Sequence, residues 1–151
     1  MAVGNVKDLT NPMPSYNGLA AGINQNGQLA NLAWVPRVVT KTAAYTVKAE
    51  ESGTIFNTTG ATAAVNFTLP AAGDGPWAFF FFNGADVNMT VTAETAGTMV
   101  TYNDLTADAV AFSTSSEKIG GGFFVYCDGT DVHAGALVTD PRYQTVSVTS
   151  A

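Results

Sequence analysis

The sequence predicts an all-β protein: a jelly-roll or related Greek-key β-sandwich over residues 37–151, preceded by an extended N-terminal arm over residues 1–36. Three observations predict it. From Val38 onward, apolar and polar residues alternate in one short run after another, the mark of strands with one buried face. Turn signals built on Gly, Asn and Asp separate these runs at intervals of mostly about 8–12 residues. No stretch has a helical period flanked by caps.

The elements follow in order. Tyr45, Val47 and Ala49 alternate with Thr46 and Lys48, and Glu51-Ser-Gly then turns the chain into Thr54-Ile-Phe-Asn. Val65, Phe67 and Leu69 alternate with Asn66 and Thr68 until Pro70 closes the strand. Ala72-Gly-Asp-Gly leads into Trp77-Ala-Phe-Phe-Phe-Phe, which is apolar at both parities, as expected of a central strand covered from each side. After Asn83-Gly come Val87 to Thr92, Thr98 to Tyr102 and Ala109 to Phe112. Gly120-Gly-Gly122 precedes Phe123 to Cys127, and Asp128-Gly129 is read as a two-residue hairpin turn into Val132 to Val138. Asp140-Pro precedes a last run from Tyr143 to Val148.

Residues 1–36 are different. Pro12, Pro14, Gly4, Gly18, Gly22 and Gly27 punctuate them, and no period is sustained. At roughly 1 kcal/mol of backbone entropy per residue, ordering such a segment costs on the order of tens of kcal/mol. Its hydrophobes, Leu19, Ile23, Leu29, Leu32 and Trp34, therefore need a surface supplied by another subunit or by the body of the domain. They are the contact candidates.

Charged residues make up 12% of the chain, about half the usual share, which suits a surface partly covered by copies of itself or by partners. Six basic residues against twelve acidic ones leave a net charge of −6. Lys7, Arg37, Lys41, Lys48, Lys118 and Arg142 are scattered, so neither nucleic acid nor an anionic membrane is an expected partner. Cys127 is the single cysteine, which excludes an internal disulfide. The N-terminus shows no basic region followed by an apolar run, and the longest apolar run spans the six residues Trp77 to Phe82. Neither a signal peptide nor a membrane span is predicted.

Candidate chemistry is sparse. Cys127-Asp-Gly-Thr-Asp-Val-His133 gathers a thiol, two carboxylates and an imidazole, which suggests a nucleophile and base. Strand geometry argues against it: Cys127 ends one strand and His133 lies in the next, with no oxyanion hole and no second His nearby. The simpler reading makes Cys127 a small buried hydrophobe and His133 a half-exposed strand residue. Asp128 and Asp131 lack the spacing of a calcium loop. Glu50-Glu51 reads as a solvated strand end, and Asp74, Asp86, Asp104 and Asp108 as turn residues. Gly120-Gly-Gly122 lacks the context of a phosphate loop and suits a bulge or a close backbone approach. The expectation is a non-enzyme without cofactor or metal.

From Tyr45 to about Leu137 a longer pattern stands out. Its parts are Tyr45-x-Val47, Ser52-Gly-Thr-Ile-Phe56, Val65-Asn-Phe-Thr-Leu-Pro70-Ala-Ala-Gly73, the aromatic strand at 77–82 and Cys127-Asp-Gly-Thr130. This pattern resembles tailed-bacteriophage head decoration (capsid cement) proteins with a jelly-roll-like domain. Val132-His133 stands where many relatives carry a Trp after Asp-Gly-Thr. The resemblance implies a structural virion protein on the capsid exterior, made in the bacterial host cytoplasm. It would bind the expanded capsid as a homotrimer and bridge neighbouring major capsid proteins, with the arm as a clamp. The alternative is a receptor- or glycan-binding module of a tail fibre, spike or head surface, using aromatic platforms near Trp77, Tyr102 or Tyr126.

Overall fold

The computed structural model describes residues 19–23, 29–34, 36–113, 117–138 and 144–150, with 19–23, 29–34 and 138 described by backbone alone. The chain divides into two compact units, Met1–Arg37 and Val38–Ala151. In the first, β1 (Leu19–Ile23) and β2 (Leu29–Trp34) form a two-stranded antiparallel sheet of their own. Its register sets Leu19 opposite Trp34 and Ile23 opposite Leu29, with a bulge between Ala20 and Gly22. The rest of the expected arm, residues 1–18, 24–28 and 35, lies outside the described residues.

The main sheet is built from β3 (Arg37–Thr40), β4 (Tyr45–Thr46), β5 (Thr54–Asn57), β6 (Val65–Thr68), β7 (Trp77–Phe82) and β8 (Met89–Thr92), then β9 (Met99–Thr101), β10 (Asp104–Phe112), β11 (Gly122–Cys127), β12 (Val132–Val138) and β13 (Val146–Ser150). These eleven strands form one mixed sheet in the order β3-β5-β7-β11-β12-β9-β10-β8-β6-β4, with β13 added along β10. The all-β class is thus as the alternation indicates.

Connectivity sets the sheet's character. From β4 to β8, consecutive strands go alternately to one wing and the other, so strands two apart become neighbours and run parallel: β4 with β6, β6 with β8, and β5 with β7. Where a jelly roll pairs its strands antiparallel, this sheet mixes both senses. It still makes a two-layered core, because it curls into a half-barrel that brings the wings face to face. Phe56 on β5 and Phe67 on β6 are far apart in strand order, yet their rings lie 5.7 Å apart. Phe67 also meets Phe81 of β7 at 5.0 Å.

The core is the inward parity of each strand. Phe56, Val65, Phe67, Phe79, Phe81, Met89, Val91, Met99, Phe123 and Val125 are all buried. On β7 the alternation is one-sided: Trp77, Phe79 and Phe81 are buried, Ala78 and Phe80 are half-buried, and Phe82 is 40% exposed. The double cover expected for this strand is therefore incomplete. β7 is central in hydrogen-bonding order, between β5 and β11, while its outward parity faces away from the core.

Gly120-Gly-Gly122 serves close packing. A Cβ on Gly121 would come within 2.4 Å of the Phe112 ring, and one on Gly122 within 2.9 Å of the Phe81 carbonyl oxygen. The β11–β12 register shifts between Gly122 and Phe123, the bulge that such glycines permit.

Candidate functional site

The polar cluster at 127–133 is a hairpin, and its geometry separates the groups that chemistry would need together. Cys127 pairs with Val132 and Tyr126 with His133, so the connection is the four residues Asp128 to Asp131, longer than the two-residue turn expected from Asp-Gly. Asp128 shapes it: its Oδ1 accepts the N–H groups of Thr130 and Asp131, each at 2.9 Å. Gly129 takes φ +103°, a conformation open to glycine.

Strand parity then sends the thiol and the imidazole to opposite faces. Cys127 is 2% exposed; its Sγ donates to the Ala72 carbonyl at 3.4 Å and accepts the Gly129 N–H at 3.3 Å. His133 stands half-buried on the outer face, stacked on Tyr126 at 4.7 Å, with Nε2 3.3 Å from Asp128 Oδ2. No nucleophile–base pair forms between them.

Among the described residues, Asp128, Asp131 and His133 are the set whose ligand atoms approach closely enough to share a cation, within 4.8 Å of one another. Both Asp residues are exposed, and Asp128 is already engaged by the turn. Two backbone N–H groups, that of Asp131 first and that of Thr130 second, hold its carboxyl below the usual range, with His133 adding to the effect. Asp104 is lowered likewise, first by the Ser150 hydroxyl and then by the Thr106 N–H.

A carboxyl depressed in the folded state stabilises above its unfolded pKa, and that contribution is lost as pH falls through the folded value. The thermal midpoint of the intact protein is therefore expected to drop more steeply below about pH 4 than that of Asp128→Asn. Parallel midpoint-against-pH curves for the two proteins would contradict this.

The other acids do not converge. Asp74 ends the short 3₁₀ turn Ala72–Asp74, and Asp86 lies exposed in the loop before β8. Asp104 opens β10 directly after a turn and accepts the Thr106 N–H at 2.9 Å, as a turn Asp does, whereas Asp108 lies within β10 and not in the turn its surroundings in the sequence suggest. Asp108 is taken by the Gly97 N–H at 2.6 Å. Glu51 departs from its expected place as a solvated strand end. It is 8% exposed, accepts the Tyr45 hydroxyl at 3.0 and 3.1 Å, and accepts the Lys48 N–H at 3.1 Å. Its neighbour Glu50 is exposed and 3.9 Å from Lys48 Nζ.

Two pieces of the sequence pattern, Val65 to Gly73 and Cys127 to Thr130, meet in space. Phe67, Leu69 and Pro70 are buried, and the turn that follows offers its carbonyls to the aromatic strand and the hairpin. Ala71 accepts Trp77 Nε1–H at 3.3 Å, and Ala72 accepts the Cys127 thiol. A Cβ on Gly75 would lie 3.0 Å from Cys127 Sγ and 3.1 Å from Gly129 Cα. This corner explains Leu-Pro-Ala-Ala-Gly and Cys-Asp-Gly-Thr as mutual packing. It also removes Trp77 from the candidate platforms, since Trp77 is 3% exposed.

Exposed aromatics do occur elsewhere. Tyr102 is 49% and Tyr126 41% exposed. Around Tyr126 a shallow groove of about 390 Å³ runs over Gly135, between Phe124, His133, Leu137 and Val100. The groove was not legible in the sequence, because it exists only where β9, β11 and β12 lie side by side. Of the arm's contact candidates, Leu19 and Ile23 lie in β1, and Leu29, Leu32 and Trp34 in β2, their side chains outside the described residues.

Among the described residues, no helix is long and apolar enough to cross a membrane. No protein-family model matches the chain, and no curated protein matches it.

Proposed function

We propose that this chain is a structural virion protein without turnover. It binds the outside of an expanded phage capsid as a trimer and stabilises the shell by bridging neighbouring major capsid proteins. The observation that carries this reading is the small first unit, with its separate β1–β2 hairpin. A two-stranded sheet is at best marginally stable in water, and its register pairs apolar positions, Leu19 with Trp34 and Ile23 with Leu29. Such a hairpin gains its stability from a surface to pack on. The reading supplies the capsid as that surface. The resemblance over Tyr45 to Leu137, the low charge and the separation of Cys127 from His133 support it.

The purified protein is expected to co-sediment with expanded capsids and not with unexpanded proheads. Replacing Leu32 and Trp34 together with serine should weaken that binding at least about tenfold, equivalent to about 1.4 kcal/mol. Failure to pellet with expanded capsids refutes the capsid role. Binding as tight as that of the intact chain refutes the clamp.

A second reading, a receptor- or glycan-binding module, is favoured by one observation, the exposed Tyr126 beside the groove over Gly135. Saturable binding on a glycan array, lost in Tyr126→Ala, would support it over the capsid role.

A further inference from the structure

We infer that the outer face of β7, β11 and β12 is the surface through which this chain associates with a second copy of itself. The outward parity of these three adjacent strands carries Phe80 and Phe82, Phe124 and Tyr126, and Leu137, and is apolar up to His133 at its end beside Asp128. The rings form a ladder across the strands. Phe80 lies 4.8 Å from Phe124, Phe124 5.7 Å from Tyr126, and Tyr126 4.7 Å from His133. Along this ladder Phe82 is 40%, Tyr126 41% and Leu137 59% exposed. Leu137 borders two hollows, the groove over Gly135 and a second, smaller one of about 200 Å³ between Ile55, Phe80 and Phe82, so the patch is continuous.

Size and charge select the occupant. An aromatic side chain offers roughly 200 Å², so Phe82 and Tyr126 each leave about 80 Å² in water, and Leu137 adds a comparable area. That is on the order of a third of the ~800 Å² each partner contributes to a standard interface, as fits its desolvated centre. Neither hollow is lined by Asp, Glu, Lys or Arg. Contacts between copies of one chain form the apolar, charge-depleted class of interface, whereas transient contacts with other proteins are as polar as the surface at large. At a net charge of −6 two copies repel each other, and this face lets them meet without setting like charges together.

Sedimentation velocity of the full chain over about 1–200 μM tests this. The intact protein should self-associate within that range, while Phe82→Asp and Leu137→Asp each weaken association at least tenfold with unchanged far-UV circular dichroism. Leu105→Asp serves as the control: Leu105, at 75%, is also exposed but lies on β10, and its replacement should leave association unchanged. An intact protein that stays monomeric throughout overturns the inference, as does association that survives both Asp variants. Equal weakening by Leu105→Asp also overturns it, since general apolarity would then be the cause. The inference rests on the sheet's outer face and not on the capsid role. Capsid co-sedimentation of the intact protein separates the two: an intact chain that stays monomeric yet pellets with expanded capsids refutes self-association alone, and one that self-associates but does not pellet refutes the capsid role alone.

Discussion

Replacing Phe56 with alanine is expected to lower the unfolding free energy by about 3–5 kcal/mol. Phe56 is fully buried on β5, and its ring lies 5.8 Å from Tyr45, 5.7 Å from Phe67, 6.0 Å from Phe79 and 5.6 Å from Phe81. Those partners belong to both wings of the sheet, so the ring fills the space where the wings meet. Deleting it forfeits both transfer free energy and packing, because β-sheet walls on either side cannot close on the cavity. A domain of this size is stable by about 5–15 kcal/mol, so the loss is a large fraction of the whole. Urea unfolding checks it, with Phe82→Ala as the comparison. Phe82 shares a strand with Phe79 and Phe81 but is 40% exposed, and its loss should cost about 1–2 kcal/mol, well below the cost at Phe56. Similar costs at the two positions would mean that the facing of the wings around Phe56 is wrong.

The second large effect is polar. Asn83→Ala is expected to cost about 2–3 kcal/mol, the penalty for leaving buried groups without partners. Asn83 and Thr58 are both fully buried. The Thr58 hydroxyl donates to Asn83 Oδ1 and accepts the Gly84 N–H at 3.1 Å, while Asn83 Nδ2 donates to the Val87 carbonyl at 2.8 Å. The Asn83 backbone also closes the β7–β11 end, accepting from the Gly120 N–H and donating to the Gly121 carbonyl, each at 2.8 Å. The side chain therefore ties the loop after β5 to the loop before β8. Because Thr58 and Asn83 share one bond, the double variant Thr58→Ala with Asn83→Ala should cost less than the sum of the two singles. Strict additivity in urea unfolding would show that the network is not coupled.

Several elements were legible in the sequence because they depend on neighbours along the chain. Alternation located β6, and β-forming runs between turn signals located β5, β7, β11 and β12, nearly to the residue, since both signals depend only on residues close in the chain. The β9–β10 hairpin was less legible. Its turn is Tyr102-Asn103, with φ of +40° and +67°, between the paired residues Thr101 and Asp104. Asn favours such a conformation, but Tyr does not. Tyr102 is held there by a partner distant in sequence: its hydroxyl accepts the Ala136 N–H at 2.6 Å. With that turn unrecognised, the nine-residue β10 read as a short strand from Ala109, and Asp108, inside it, passed for a turn residue.

Among the candidate sites, the sequence placed Cys127 and His133 on successive strands but left contact across the hairpin open, and the observed register decided that they face opposite ways. The outer-face ladder was not legible, because Phe82, Tyr126 and Leu137 become neighbours only when three strands pair in one order. Glu51 was hidden for a related reason, since the burial of its carboxylate depends on where the Tyr45 ring lies.

By itself, the sequence determined that this protein is all-β, which residues face inward on alternating strands such as β6 and β8, and that the chain carries few charges. These are properties of composition and of the two-residue period, and any packing must respect them. Tertiary structure decided which strands became neighbours, and therefore that the wings alternate, run partly parallel and face each other around Phe56. It also decided that one uncharged aromatic face points away from the core, because hydrogen bonds between strands are indifferent to sequence distance and leave the choice of partner to the packing of the whole chain.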